Sequence, residues 1–194
     1  MSSCRDLVSL QAIVFMNLFL LAINRPSTCY TYLSTSLSIA LRMGLHRSLG
    51  APEDFICCET GKRVFWALRL LSGEVAACAG LPRLLNDEEI DQELPREVND
   101  AYVQRARILP QPESEICYVS GANAYKRLHM ILDKVIRRIY PQSGRNGPGN
   151  RGSVSYAVRL DTIREIEKDL HEWSEAIPRG YRLSSCYEEP ALQR

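Results

Sequence analysis

Apolar residues recur along this chain at the three- and four-residue spacing of α-helices, and no stretch keeps the two-residue alternation of a half-buried strand. The densest run comes first. From Leu7 to Ile23, LVSLQAIVFMNLFLLAI is broken only by Ser9, Gln11 and Asn17. It lies at the lower edge of what spans a bilayer, is long for a signal-peptide core, and offers a poor cleavage site at Ala22-Ile23-Asn24. The polar breaks suit a helix buried inside protein, so the run predicts a first, buried core helix rather than a membrane segment. A second helix follows Asn24-Arg25-Pro26-Ser27, where Pro26 and Ser27 supply stop and cap chemistry. Its stripe is Tyr30, Leu33, Leu37, Ala40, Leu41 and Gly44. Gly44 ends it ahead of the loop Leu49-Gly50-Ala51-Pro52, and the short join predicts an antiparallel hairpin with the first helix.

A third helix is expected from about Glu59 to Ala79, with Val64, Phe65, Leu68, Leu71, Val75 and Ala79 on one face and Gly80-Leu81-Pro82 as its stop. The period then lapses from Arg83 to Glu115, around Asn86-Asp87-Glu88-Glu89-Ile90-Asp91-Gln92-Glu93. Loops this long inside a compact domain are often functional or mobile. The run lacks the alternation and central glycine of a calcium loop, and reads as a solvated acidic loop. A fourth helix, about Ile116 to Tyr140, carries the stripe Leu128, Ile131, Leu132, Val135, Ile136 and Ile139. Lys126, Arg127, Lys134, Arg137 and Arg138 form its outer face, expected to be solvated with local ion pairs. Pro141 opens PQSGRNGPGNRGS, and a fifth helix follows with Ile163, Ile166, Leu170, Trp173 and Ile177, stopped by Pro178. The expected architecture is all-α, an antiparallel helical-hairpin bundle of about five main helices with a long acidic loop. Residues 1–140 form its core, 141–153 a Gly/Pro-rich linker or loop, 154–178 a further helix of the same domain, and 179–194 an irregular tail.

Composition changes this picture little. The 194 residues carry 24 Lys plus Arg against 23 Asp plus Glu, so no basic body is present to grip nucleic acid by bulk electrostatics. Seven cysteines (Cys4, Cys29, Cys57, Cys58, Cys78, Cys117 and Cys186) are odd in number, irregularly spaced and without a C-x-x-C. They predict neither a disulfide framework nor a zinc ribbon, and fit a reducing, intracellular setting. His46, His129 and His171 fall on three different helices or their ends, with His46 placed to bond orphan carbonyls. No nucleophile elbow, zinc-protease motif, phosphate loop or dinucleotide fingerprint occurs. No catalytic, cofactor-binding or metal-ligating residue is therefore assigned, and the chain reads as a non-enzyme.

Four segments carry more information together than singly. They are Ala40-Leu41-Arg42-Met43-Gly44-Leu45-His46-Arg47, Gly61-Lys62-Arg63-Val64-Phe65-Trp66, Gly80-Leu81-Pro82, and Asp87-Glu88-Glu89-Ile90-Asp91-Gln92-Glu93-Leu94-Pro95. In order and separation they resemble the fungal-specific transcription factor domain, the middle regulatory region of zinc binuclear cluster transcription factors. Ser72 stands where that family often has an aspartate, and Gly80-Leu81-Pro82 replaces a common Gly-Arg-Pro. The resemblance implies a nuclear role in regulating RNA polymerase II transcription, with DNA reached only through an upstream module and zinc held by that module's six-cysteine cluster, so that this stretch is a fragment or a shortened product. Other regulatory proteins, or other domains of the same factor, are the implied partners, with no membrane; a homodimer and a small-molecule inducer stay open. The alternative is a helical protein-interaction scaffold with no DNA-linked role. Phe65 and Trp66 read as core anchors, Leu94-Pro95 as a pin for the acidic loop, and Arg63 or Arg47 as its ion-pair partner.

Overall fold

The computed structural model describes residues 4–48, 50, 53–139 and 159–182. The linker at 141–153, residues 154–158 and the tail beyond 182 lie outside the described residues, as do Leu49, Ala51 and Pro52. The apolar rhythm becomes five α-helices: α1 Cys4–Ala22, α2 Pro26–Arg42, α3 Phe55–Ala79, α4 Tyr118–Ile139 and α5 Leu160–Ala176. The described residues contain no named strand, only an isolated antiparallel bridge between Val103 and Ile108. The all-α expectation is met.

A three-residue turn folds α2 back on α1, with Asn24 taking a left-handed φ of 55° and Pro26 opening α2. Ser27 does not cap that helix. Arg25 holds the cap position without a side-chain bond, and the Ser27 carbonyl instead accepts from the Thr31 hydroxyl. The α2 stripe is buried as expected through Leu33, Leu37 and Ala40. Against it lies the polar break of α1. Asn17 is fully buried, donates to Ser36 Oγ at 3.4 Å and accepts from Cys29 Sγ at 3.6 Å, which satisfies an amide that would otherwise be costly to bury.

The first helix departs from expectation. Leu7, Leu10 and Asn17 are buried, but Phe15 is 71% exposed and Phe19 62%. A helix that is apolar all round needs neighbours all round, and among the described residues α1 packs chiefly on α2 and α3. One face is core and the other is an exposed apolar face.

The long helix α3 starts a turn earlier than the periodicity predicts. Asp54 caps it by accepting from the amides of Ile56 and Cys57 at 2.9 and 3.2 Å, and Gly80 closes it with a φ of 65°. Its Val64, Phe65, Leu68, Leu71 and Val75 pack with Leu7, Leu10, Leu33, Leu37 and Leu85 as one core, while Ala79 is exposed.

The fourth helix turns the expected pattern round. None of Leu128, Ile131, Leu132, Val135, Ile136 or Ile139 is fully buried, whereas Ser120, Asn123, Ala124, Lys126 and Asp133 are. The reason is its neighbours. On one side α4 meets a polar face of α3 and the acidic loop; on the other it meets α5, itself buried only at Ile166. Nor is the basic face simply solvated, because its ion pairs are tertiary rather than local. Lys134 and Arg138 reach Glu165 of α5 at 2.8 and 2.7 Å, Arg137 reaches Asp87 at 2.9 Å, and Arg127 reaches Glu97 at 3.2 Å. Trp173 of α5 fixes the α4–α5 pair by donating to the Ala124 carbonyl at 2.7 Å. The tail begins with order: Arg179–Tyr181 form a helical turn, and the Tyr181 ring covers Gly121, where a Cβ would come within 2.6 Å of it.

Replacing the fully buried Phe65 by alanine is expected to cost ~3–5 kcal/mol of unfolding free energy in urea titrations, the usual range for a buried Phe. Phe15→Ala, on the exposed face of α1, is expected to change it by less than ~0.5 kcal/mol.

Candidate functional site

Three of the four sequence segments meet in one place, while Gly80-Leu81-Pro82 closes α3 and its Pro82 carbonyl accepts from the Tyr30 hydroxyl at 2.7 Å. The turn after α2 presents the His46 carbonyl, which accepts from the amides of Asp91 and Gln92 at 3.2 and 3.1 Å. Gln92 returns two bonds, its side-chain amide donating to the carbonyls of Leu45 (3.0 Å) and Arg47 (2.8 Å), and the Ser48 amide donates to Asp91 Oδ1 at 3.1 Å. On α3, the Trp66 indole N–H donates to the Glu93 carbonyl at 2.9 Å, Lys62 reaches Glu93 at 3.3 Å, and Glu59 accepts from the Arg96 amide at 2.9 Å. Arg63 pairs with Asp100 and donates to the Val98 carbonyl at 3.0 Å. From α4, Asn123 donates to the Pro95 carbonyl at 2.8 Å. Pro95 is buried, as a pin for the loop requires.

This corrects several expectations. Trp66 does more than anchor the core: half-buried, it packs against the core and edge-on to Phe65, and its indole N–H also clamps the loop. Arg63 does hold the loop, but beyond the acidic run, and Arg47 contributes its carbonyl and a bond to the His46 ring rather than an ion pair to the loop. The acidic loop is not simply solvated: Glu88 and Glu89 are exposed, yet Asp87, Asp91 and Glu93 are all engaged. His46 Nδ1 is buried without a partner, and it is the His46 backbone that serves the loop.

Behind the loop sits a cluster of charge that links three elements. Arg69 of α3 pairs with Asp87 of the loop and with Asp133 of α4, the latter at 2.8 Å. Arg83 also pairs with Asp133 and stands 3.7 Å from Asp87, which Arg137 closes from α4. The Arg69 and Asp133 side chains are only 9% and 7% exposed. Burial works against the charge on Asp87, but the hydrogen bond from Arg69 and the charges of Arg69, Arg137 and Arg83 outweigh it and hold its carboxyl below the usual carboxylate range. Next to this cluster, Glu74 bridges Tyr125 (2.6 Å) and His129 (3.0 Å); the His129 bond is the main reason its carboxyl lies low.

Between α3, the loop and α4 lies a cavity of about 290 Å³. Trp66, Leu70, Ile90, Leu94 and Met130 give it apolar walls, and Lys126 is among its polar lining. Of the residues that build this region, Arg69, Asn123 and Asp133 were not singled out by sequence reasoning, Glu59 was named only as a helix start, and Lys126, expected on a solvated outer face, is buried against the cavity. One signal was available: Glu59, Lys62, Trp66 and Arg69 recur at spacings of three and four, a polar helix face opposite the apolar one.

The histidines and cysteines are not gathered. His129 faces Glu74, His171 is exposed on α5, and His46 lies beyond α2. Cys29 is buried in α2, where burial pushes its thiol up; Cys57 and Cys58 lie in the first turn of α3, Cys78 is exposed near its end, and Cys117 precedes α4. Among the described residues no group of three His, Cys, Asp or Glu side chains is placed to hold a metal ion. No helix of the described residues is long and apolar enough to cross a membrane.

The chain is thus an all-α body whose helix-end, aromatic and acidic segments interlock. Residues 1–175 match the fungal specific transcription factor domain, and the chain belongs to that family. It is 31% identical over 196 residues to Activator of stress genes 1 of Saccharomyces cerevisiae, covering 100% of this chain and 19% of that protein. It is 32% identical over 165 residues to Transcriptional activator protein acu-15 of Neurospora crassa, covering 82% of this chain and 16% of that protein. An ABC-transporter-regulating transcription factor of Aspergillus fumigatus is 28% identical over 181 residues, covering 91% of this chain and 19% of that protein. The chain thus spans about a fifth of the length of these relatives. No solved structure matches it.

Two outcomes test the charge cluster. Asp133→Asn leaves Arg69 and Arg83 short of a buried counter-charge and is expected to cost ~3–5 kcal/mol, whereas Asp161→Asn, in the exposed pair with Arg159, is expected to cost almost nothing. Because the Asp87 carboxyl titrates lower in the folded chain, its contribution is complete above the unfolded value of about 3.9 and fades as pH falls through the folded one. Acid unfolding below about pH 4 is therefore expected to be shallower in Asp87→Asn than in the parent, read by circular dichroism against pH.

Proposed function

We propose that this chain is the regulatory, middle homology region of a fungal zinc cluster transcription factor, acting on RNA polymerase II transcription within a longer DNA-binding protein. The observation that carries the reading is the match to the family over residues 1–175, with three of the four segments behind the resemblance interlocked around one loop. Its relatives are named as transcriptional activators and regulators. A net charge of +1 supports a body that leaves DNA contact to another module, and zinc belongs with that module. Its place of action is the nucleus, and its partners are other regulatory proteins or other domains of the same factor. The scaffold alternative has no comparable support, since the named relatives are transcription regulators.

In such a protein the chain's own contribution is a set of contacts that hold a loop between two helices. Any partner that binds better to the loop-docked or loop-released form shifts the balance between them. The decisive test is made in the longest reading frame that contains this chain. Trp66→Ala together with Arg69→Ala removes the loop's clamp and its charge anchor. The expected result is a change of fivefold or more in a defined group of transcripts, by RNA sequencing at matched protein level. A transcript profile unchanged both in this variant and after deletion of the whole frame overturns the reading.

A further inference from the structure

Lys126 is 7% exposed as a residue, and among the described residues no hydrogen bond or ion pair engages its ammonium, whose Nζ is not fully enclosed and keeps access to the adjoining cavity. It lines the 290 Å³ cavity between α3, the acidic loop and α4, and the charged group bearing on it is Arg63, of the same sign. An unpaired buried ammonium is costly. Burial, with Arg63 adding to it, pushes the Lys126 amine down to about 8, so it still carries most of its charge at neutral pH. Two residues with unpartnered buried polar atoms line the same cavity: Arg69, whose Nε lacks an acceptor, and Gln92, whose Oε1 lacks a donor. The rest of the wall includes Trp66, Leu70, Ile90, Leu94 and Met130.

These features define a ligand. From them we propose that the cavity binds a small organic monocarboxylate, its apolar body against Trp66, Leu94 and Met130 and its carboxylate on the Lys126 ammonium. Size bounds the body. An apolar cavity of about 150 Å³ takes benzene, so one of about 290 Å³ takes an acid of about a dozen non-hydrogen atoms. Charge bounds the head. Asp87 and Asp133 also line the cavity but are neutralised by arginines, so the charge left without a partner is the one ammonium of Lys126, which matches an acid with one charge. The same aspartates are already engaged by Arg69, Arg83 and Arg137, which leaves no free carboxylate to recruit a cationic ligand. Because the walls belong to α3, the loop and α4 at once, an acid seated there joins the three elements and favours the docked loop. That last step rests on the regulatory reading above; the binding itself does not.

The test uses the 194-residue chain and two probes of suitable size, 3-phenylpropanoate and octanoate, with 3-phenylpropanamide as the uncharged counterpart, read by calorimetry and by thermal unfolding. The expected result is saturable one-to-one binding of the acids, at least tenfold tighter than the amide. In Lys126→Met the acids lose at least tenfold in affinity and their advantage over the amide disappears. Without ligand this variant unfolds at a temperature no lower than the parent, because an unpaired buried charge has been removed. Met130→Trp, which fills the cavity and keeps the ammonium, is expected to abolish binding as well and serves if the first variant does not fold. No binding of either acid to the parent, equal affinity for acid and amide, or undiminished acid binding in Lys126→Met each overturns the proposal. A lower unfolding temperature of ligand-free Lys126→Met does so too, since it assigns the ammonium a structural partner. These readouts involve no transcription, so failure here leaves the regulatory reading standing, and failure of the transcript test leaves the binding result standing.

Discussion

A guanidinium nine-tenths out of water has to be neutralised where it sits, and in this protein Arg69 imposes that requirement on three separate elements. Its counter-charges come from the loop, through Asp87, and from α4, through Asp133. Neither is near it in sequence. The loop can therefore lie on α3 only if α4 also closes on the same face. Arg83 and Arg137 complete the set by balancing the two aspartates from the loop and from α4. The apolar core of α1, α2 and α3 is a bond of a different kind, made by packing around Phe65, and the loop joins it as well through Leu85. The molecule thus has two halves of different chemistry: a hydrophobic hairpin-plus-helix body, and a polar docking face on which the loop, α4 and α5 are assembled.

That division explains what could be read from the sequence and what could not. The helices, their stops at Gly44 and Gly80, and the core stripe of α2 and α3 were legible because they follow from local periodicity and backbone preference. Asp54 as the cap of α3 was not foreseen because the apolar stripe begins a turn later than the helix does. The inversion of α4, which buries Asn123, Lys126 and Asp133 while its leucines and isoleucines are only partly covered, was not legible at all. Periodicity finds the apolar face and assumes that it faces inward. It has no means to recognise that a polar partner surface waits on α3. Trp66 illustrates the same limit, since its neighbour Phe65 points into the core and its own ring is turned to clamp the Glu93 carbonyl.

The family resemblance drew on four short segments, and their roles are now physical. Gly44 to Arg47 supply carbonyls for the loop, Lys62 to Trp66 supply its side-chain clamps, Gly80 turns the chain out of α3, and Leu94-Pro95 anchors the loop's far end beneath Asn123. The chain spans about a fifth of the relatives' length, and it keeps large apolar residues exposed on α1, α4 and α5, including Phe15, Phe19, Met130 and Leu160. Exposed apolar faces of that kind favour contact with further protein.

The central claim is that buried charge around Arg69 holds the acidic loop on the helical body. Amide hydrogen exchange tests it most directly. The amides of Asp91, Gln92 and Arg96 are bonded only through the docked loop, whereas those within α2, such as Leu33 and Leu37, belong to the hydrophobic half. In Arg69→Met the three loop amides are predicted to lose protection by at least tenfold while the α2 amides keep theirs. Loop amides as slow in the variant as in the parent contradict the account. So does a uniform loss across both halves, which makes Arg69 a general support of the fold rather than the anchor of the loop.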